Sequence, residues 1–319
     1  METLILALNE PTWRDRALGV LRAGGVVGVP TETVYGLAGD ATRADAVAAI
    51  YAAKGRPSHN PLIAHVADLR MAERLALFDA RALKLANAFW PGPLTLVLPL
   101  REVAGLAPAV TAGGDSLAVR CPSGPLRELA EALDAPLAAP SANRSGHVSS
   151  TTAHHVLSDL EGRIPLILDG GATALGLEST IVDVRGPKAL LLRPGAIDAD
   201  RLEAVLGEMI TTPTASEAAP VAPGQLASHY APSVPVRLNV PVEAVRPGEA
   251  YLGFGDHALN DHPNLSKKGD LAEAGEQLYA LLRVLDNKNP TAIAIAPIPT
   301  NGLGQALNDR LQRAAAPRG

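Results

Sequence analysis

The 319-residue chain reads as an α/β protein: a mixed, twisted open sheet followed by a second, smaller α/β domain. Three observations predict this. Apolar runs of strand length alternate with segments of helical period through the first two hundred residues. The runs STIVDV and ALLLRPG then follow one another with no helix between, which excludes a purely parallel sheet in favour of a mixed one. From about Gly207 the composition turns to Pro, Ala, Ser and Thr before strand and helix patterns resume. The boundaries are therefore a first domain at 1–206, a linker at 207–233 and a second domain at 234–319.

Each element has its own signal. METLILALNE carries a short apolar run with neither a basic leader nor a small-residue cleavage site, so it reads as a first strand and not as a targeting segment. Trp13, Ala17, Leu18 and Leu21 recur at helical spacing over 12–23, and Gly24-Gly25 stop that helix before the strand VVGVP. Helices are expected over Arg43–Lys54, Ala80–Phe89, Pro125–Leu133 and Thr151–Leu160. Between and after them LIAHV, LTLVLPL, SLAVRCP, PLAAP, PLILDGG, STIVDV and ALLLRPG have strand length, several bounded by Pro or Gly. In the second domain VPVRL, AYLGF and TAIAIAP read as strands, and Leu271–Leu285 and Leu303–Ala315 as helices.

Composition narrows the function. A net charge of −5 and an aromatic share of 3% argue against a chain whose main task is to hold phosphate backbones or stack bases. The single cysteine, Cys121, excludes an internal disulfide and any multi-cysteine zinc site. No run approaches the ~20 apolar residues of a membrane helix, so the expected compartment is the cytoplasm. Neither the G-x-x-x-x-G-K-[ST] phosphate loop nor an H-E-x-x-H metal motif occurs, and GFGDHA near 253 lacks the unit that a dinucleotide fingerprint needs.

Polar loops leave several strand ends. GVPTETVYGLAGDAT places Thr31, Glu32, Thr33, Tyr35 and Asp40 just after a strand, at the carboxyl edge where open α/β sheets bind ligands; hydroxyls and carboxylates so dense either cap a helix or face a ligand. In AAKGRPSHNPLIAHV, Lys54 and Arg56 flank a glycine, with His59, Asn60 and His65 beyond. A point charge beside a planar fork suits an anion, and suits a helix C-terminus equally. LAAPSANRSG offers Ser141, Asn143, Arg144 and Ser145, and Thr151 precedes a helix, where a phosphate or a simple cap would serve. GLESTIVDV and LLRPG bring Glu178, Ser179, Thr180 and Arg193.

Taken in order, PTETVYGL, KGRP with NPL, WPGPLTLVL, APSANRSG, LESTIVD and LRPGAI resemble the motif series of the YrdC/Sua5 family. SHYAP and GLGQALNDRL extend the resemblance to its long, two-domain Sua5 branch. The resemblance implies a nucleotidyltransferase that condenses L-threonine, bicarbonate and ATP, the last with Mg²⁺ on its phosphates, into threonylcarbamoyl-AMP and pyrophosphate. That product feeds the t6A base of tRNA through downstream transfer proteins. The same resemblance assigns Thr33, His65, Arg120, Ser141 and Ser179 to the threonine end. It assigns Arg56, Asn60, Ser116, Asn143, Thr151, Arg193 and Tyr230 to ATP, with Lys54 and Arg56 as the cations of the chemistry and no protein-held metal. Two other readings stand beside it: a carbamoyl transferase of the hydrogenase-maturation type, which one cysteine fits poorly, and a cleft that binds RNA without chemistry, which the acidic charge disfavours.

Overall fold

A computed structural model describes residues 2–213 and 229–317; the greater part of the expected 207–233 linker lies outside the described residues. Strand β1 (Leu4–Ala7) leads to helix α1 (Trp13–Arg22), whose buried face is Ala17, Leu18 and Leu21, the stripe its sequence spacing sets. Strands β2 (Val27–Val29) and β3 (Gly36–Asp40) form an antiparallel pair, and α2 (Ala44–Lys54) ends at Gly55 in a left-handed cap. Next come β4 (Ile63–His65), α3 (Leu69–Leu75), α4 (Ala80–Phe89), β5 (Leu94–Pro99) and β6 (Ser116–Arg120). They are followed by α5 (Pro125–Leu133), β7 (Leu137–Ala138), α6 (Ala153–Leu160), β8 (Leu166–Asp169), β9 (Thr180–Asp183), β10 (Leu190–Arg193) and α7 (Ala199–Leu206). The second unit holds β11 (Val236–Arg237), β12 (Ala250–Leu252), α8 (Leu271–Asp286), β13 (Ile293–Ile295) and α9 (Leu303–Ala315).

The first ten strands make one mixed sheet in the order β1-β8-β2-β3-β7-β4-β6-β5-β9-β10. β4 and β6 run parallel, whereas β5 against β6, β7 against β4 and β9 against β10 are antiparallel. The last three strands form a separate parallel sheet, β11-β13-β12.

Three elements escape the sequence reading. β3 has two glycines in five residues, a poor strand composition, yet it is wholly buried, because packing decides where propensity does not. Gly39 is required there by closeness: a Cβ at this position would lie 3.2 Å from Ile50 Cδ1 and 3.4 Å from the Ala46 carbonyl of α2. Helices α3 and α7 are too short, at 7 and 8 residues, to show a period. Each is announced only by a capping aspartate, Asp68 accepting from Met71 N and Asp198 from Arg201 N.

Strand alternation gives the large sheet two faces. Ala64, Leu96, Leu117, Val119 and Val182 point into the main core. Their neighbours Ile63, Val97, Ala118 and Ile181 form a small apolar floor on the opposite face. His65, Arg120 and Ser179 continue that second face, since His65 pairs in register with Arg120, and Ile63 with Ala118. A further core joins the two units, with Val34, Val148 and Leu177 of the first packed among Leu278, Tyr279 and Leu307 of the second. Approach there is intimate: at Gly176, in the left-handed region at φ 68°, a Cβ would fall 2.3 Å from the Gly275 carbonyl of α8.

Candidate active site

The second face of the sheet carries the polar constellation at the carboxyl ends of its strands, the edge at which the sequence reading placed a ligand site. Thr33 follows β2 and Ser141 follows β7, His65 and Arg120 are the last residues of β4 and β6, Arg193 is the last of β10, and Ser179 leads into β9. Thr33, Arg56, His65, Arg120, Ser141, Ser179, Arg193 and Tyr230 line one small cavity of about 40 Å³, with Glu178 and His229 also on its wall. That is room for a few waters.

Arg120 organises one end. Its Nε donates to Gly92 O at 3.1 Å and its Nη1 to Thr33 Oγ1 at 3.0 Å. Thr31 Oγ1 donates to Val34 O at 2.6 Å, so Thr33 Oγ1, 2.8 Å from Thr31 Oγ1, is the donor between the two hydroxyls. The chain of donation runs from Arg120 through Thr33 and Thr31 to the Val34 carbonyl, each bond polarising the next. His65 lies beside Arg120 with a buried Nδ1 that lacks a partner. Burial, helped by the Arg120 charge, pushes its pKa down to about 3, so the imidazole is neutral at working pH.

The other end is built around Ser179. Arg193 Nε donates to Ser179 O and Arg193 Nη2 to Ser179 Oγ, both at 3.0 Å. Thr95 Oγ1 is 2.7 Å from the same hydroxyl. The two ends that the resemblance separates thus meet at one serine. Behind it Glu178 accepts from Ser149 Oγ at 2.6 Å, Tyr279 Oη at 2.9 Å and Arg310 Nε at 2.7 Å. Burial would raise this carboxyl, but Arg310, Arg193 and the hydrogen bonds prevail and bring it to about 2. Tyr230 stacks on His229, with ring centres 4.2 Å apart, and on Tyr279 at 5.8 Å, beneath the Arg310 guanidinium. Its φ of 61° is a left-handed conformation that this packing holds in place.

Lys54, Asn60, Ser116, Asn143 and Thr151 stand outside the cavity wall. Lys54 is 3% exposed and gives its ammonium to the carbonyls of Ser141 and Asn143, which makes it a tie beneath the loop rather than a cation in the cavity. Arg56 Nε donates to Asn60 O and its Nη2 to Pro61 O. Asn143 Nδ2 donates to Arg144 O and His147 O, while its Oδ1, like that of Asn60, is buried without a partner. Ser116 occupies the far end of β6 from Arg120. Thr151 sits at the mouth of α6, with its N–H 3.3 Å from His155 Nδ1. The sequence reading assigned no role to Glu178, Arg310 or the interaction of Glu32 with Arg120. Glu178 and Arg310 are 132 residues apart, so no local spacing could join them.

The buried neutral groups set a pH dependence. His65 and His229 have folded pKa values of about 3 and His155 of about 4, below the ordinary 6.5. The unfolded chain therefore takes up protons first, and stability falls as pH drops from 6.5 towards 3, by up to ~1.4 kcal/mol per pH unit for each of the buried His65 and His229 and by less for the partly exposed, solvent-screened His155, whose loss ends at about 4. Glu178 adds a further loss between 4.5 and about 2. Thermal unfolding at pH 7, 6, 5 and 4 is expected to show a steepening decline, and His229→Phe a flatter one.

Comparison with known proteins follows the same division. Residues 19–195 match the family model Sua5_yciO_yrdC, described as telomere recombination, and residues 197–316 match Sua5_C, described as the C-terminal domain of threonylcarbamoyl-AMP synthase. The chain is 39% identical to threonylcarbamoyl-AMP synthase of Bacillus subtilis, over 98% of this chain and 95% of that one. It is 39% identical to the Pyrococcus abyssi protein of the same name, over 99% and 98%. The crystal structure of P. abyssi Sua5 complexed with L-threonine superposes with a TM-score of 0.90 at 37% identity, covering 99% of this chain and 98% of that one.

Proposed function

The chain belongs to the Sua5/YrdC family of threonylcarbamoyl-AMP synthases, and from that premise we propose that it condenses L-threonine, bicarbonate and ATP into threonylcarbamoyl-AMP and pyrophosphate for t6A synthesis. One observation carries the reading: a single cavity brings a tethered guanidinium, Arg120, and a neutral imidazole, His65, to face Arg56 and Arg193.

In this reading Arg120 receives the threonine carboxylate, and Thr33, His65, Ser141 and Ser179 surround the rest of the amino acid. Arg56 and Arg193 face the phosphates, Tyr230 closes over the nucleotide, and Asn60, Ser116, Asn143 and Thr151 complete the ATP site, with Lys54 supporting the loop. The threonine amine takes up bicarbonate-derived CO₂ to give a carbamate. A carbamate oxygen then attacks the α-phosphorus, forming the new O–P bond as the bond to pyrophosphate breaks. The enzyme is a nucleotidyltransferase, because AMP is the group moved, and no covalent intermediate with the protein is needed. Its contribution is placement and charge stabilisation by fixed cations. Neutral His65 offers the substrate a lone pair without adding charge.

Mg²⁺ enters as part of the substrate, carried on the ATP phosphates. The described residues hold no cluster of three or more carboxylate, imidazole or thiolate side chains to cage it. The product passes to downstream t6A-transfer proteins. The expected compartment is the cytoplasm, and no helix among the described residues is long and apolar enough to cross a membrane.

Pyrophosphate release from ATP and bicarbonate tests the reading. Release should require L-threonine and fall about tenfold to a hundredfold in Arg56→Ala, which removes one fixed cation. Release that ignores threonine would overturn it.

A further inference from the structure

We infer that Glu32 is a positioning residue that acts through Arg120 and makes the amino-acid end select a zwitterion over a simple carboxylate. The inference rests on the assignment of Arg120 to the threonine carboxylate. Glu32 lies between the two threonines of the Arg120 hydroxyl chain, and its main-chain carbonyl accepts from Leu175 N at 2.9 Å. Its Oε2 accepts from Ser123 N at 3.3 Å and stands 2.8 Å from Arg120 Nη2. Both side chains are largely buried, Arg120 at 5% exposure and Glu32 at 16%.

The geometry of that contact decides what it does. Arg120 Nη2 is within ion-pair distance of Glu32, yet it has no partner in hydrogen-bond geometry, and neither does Glu32 Oε1. The carboxylate therefore neutralises the guanidinium from the side without using the Nη2 protons. Nε and one Nη1 proton are already committed to Gly92 and Thr33. The donors left for a ligand carboxylate are the second Nη1 proton and the two on the atom that Glu32 holds, so a shift of Glu32 shifts the docking geometry.

Charge follows the same contact. With His65 neutral and Arg120 balanced by Glu32, the amino-acid end carries no net charge before the ligand arrives. A monoanion gains hydrogen bonds there but finds an opposing carboxylate close by. A zwitterion brings an ammonium with its carboxylate and meets no such penalty. Removing the Glu32 charge leaves Arg120 uncompensated, which favours the anion and displaces the fork.

The test uses the full-length chain, with L-threonine and 3-hydroxybutanoate as probes, binding read by calorimetry and turnover by pyrophosphate release. In Glu32→Gln the KM for threonine should rise about tenfold with the KM for ATP unchanged, and the preference for threonine over 3-hydroxybutanoate should fall at least tenfold. Glu32→Asp should recover part of that preference. Because Gln could weaken folding, Arg120→Lys and the double variant complete a cycle, in which the double variant should be no worse for threonine than Arg120→Lys alone. Unchanged preference in a folded Glu32→Gln, or additive losses in the cycle, would overturn the inference and leave the synthase reading intact. Failure of the unsubstituted chain to bind threonine would overturn both.

Discussion

Arg310→Met is expected to destabilise the chain by ~3–5 kcal/mol, the cost of leaving a buried charge without its partner. Arg310 is fully buried on α9, yet it serves the first unit: Nε to Glu178, Nη2 to Pro194 O at 2.9 Å, and the guanidinium face over Tyr230. In the variant Glu178 keeps its hydrogen bonds from Ser149 and Tyr279 but loses its direct ion pair, and the Pro194 carbonyl loses its donor. Glu178 should then titrate nearer the ordinary carboxylate range, so the deficit should hold from pH 7 to 5 and shrink as pH is lowered from 4.5 towards 2. Denaturant unfolding on either side of 4.5 checks this. Glu178→Gln in the Arg310→Met background should restore part of the loss, because a neutral amide needs no counter-charge. A loss confined to the second unit, with Glu178→Gln neutral, would mean that the pair does not join the units. Pro194 follows the cavity's Arg193, so the KM for ATP should rise in the same variant.

The helices and strands were legible wherever a period had room to show itself. α1, α4, α5 and α8 have buried residues at the spacing their sequences announce. What escaped was set by tertiary contact: β3 is a strand because α2 and its sheet neighbours leave its glycines no other place. The cavity residues were named from a series of motifs, but their arrangement was not. Ser116, Ala118 and Arg120 alternate on β6, as do Ile63 and His65 on β4, and that period of two already said that one sheet face bears polar ends around an apolar floor. Reading loops first hid it. Glu178 and Arg310 could not be paired from the sequence, since a charged residue on a helix reads as solvated until the partner domain is known to cover it.

Lys54 separates two accounts of the same residue type. A lysine at the end of a helix beside Arg56 reads as a point charge for phosphates, and that account predicts that Lys54→Met raises the KM for ATP alone and spares stability. The structure gives the ammonium a different task. It is buried, its pKa is driven down chiefly by burial and further by Arg56, and it donates to Ser141 O and Asn143 O. Ser145 N donates back to Lys54 O at 2.9 Å, so helix end and loop are laced in both directions. Methionine fills the space but orphans two buried carbonyls, at ~1–3 kcal/mol each, partly offset because an ammonium no longer has to leave water. The expected result is a net loss of ~2–4 kcal/mol in thermal or denaturant unfolding. The KM values for threonine and for ATP should rise together, since Ser141 and Asn143 ride on the one loop. A rise for ATP alone at unchanged stability would return Lys54 to the phosphates. A joint rise makes the loop, and not the charge, the thing that Lys54 supplies.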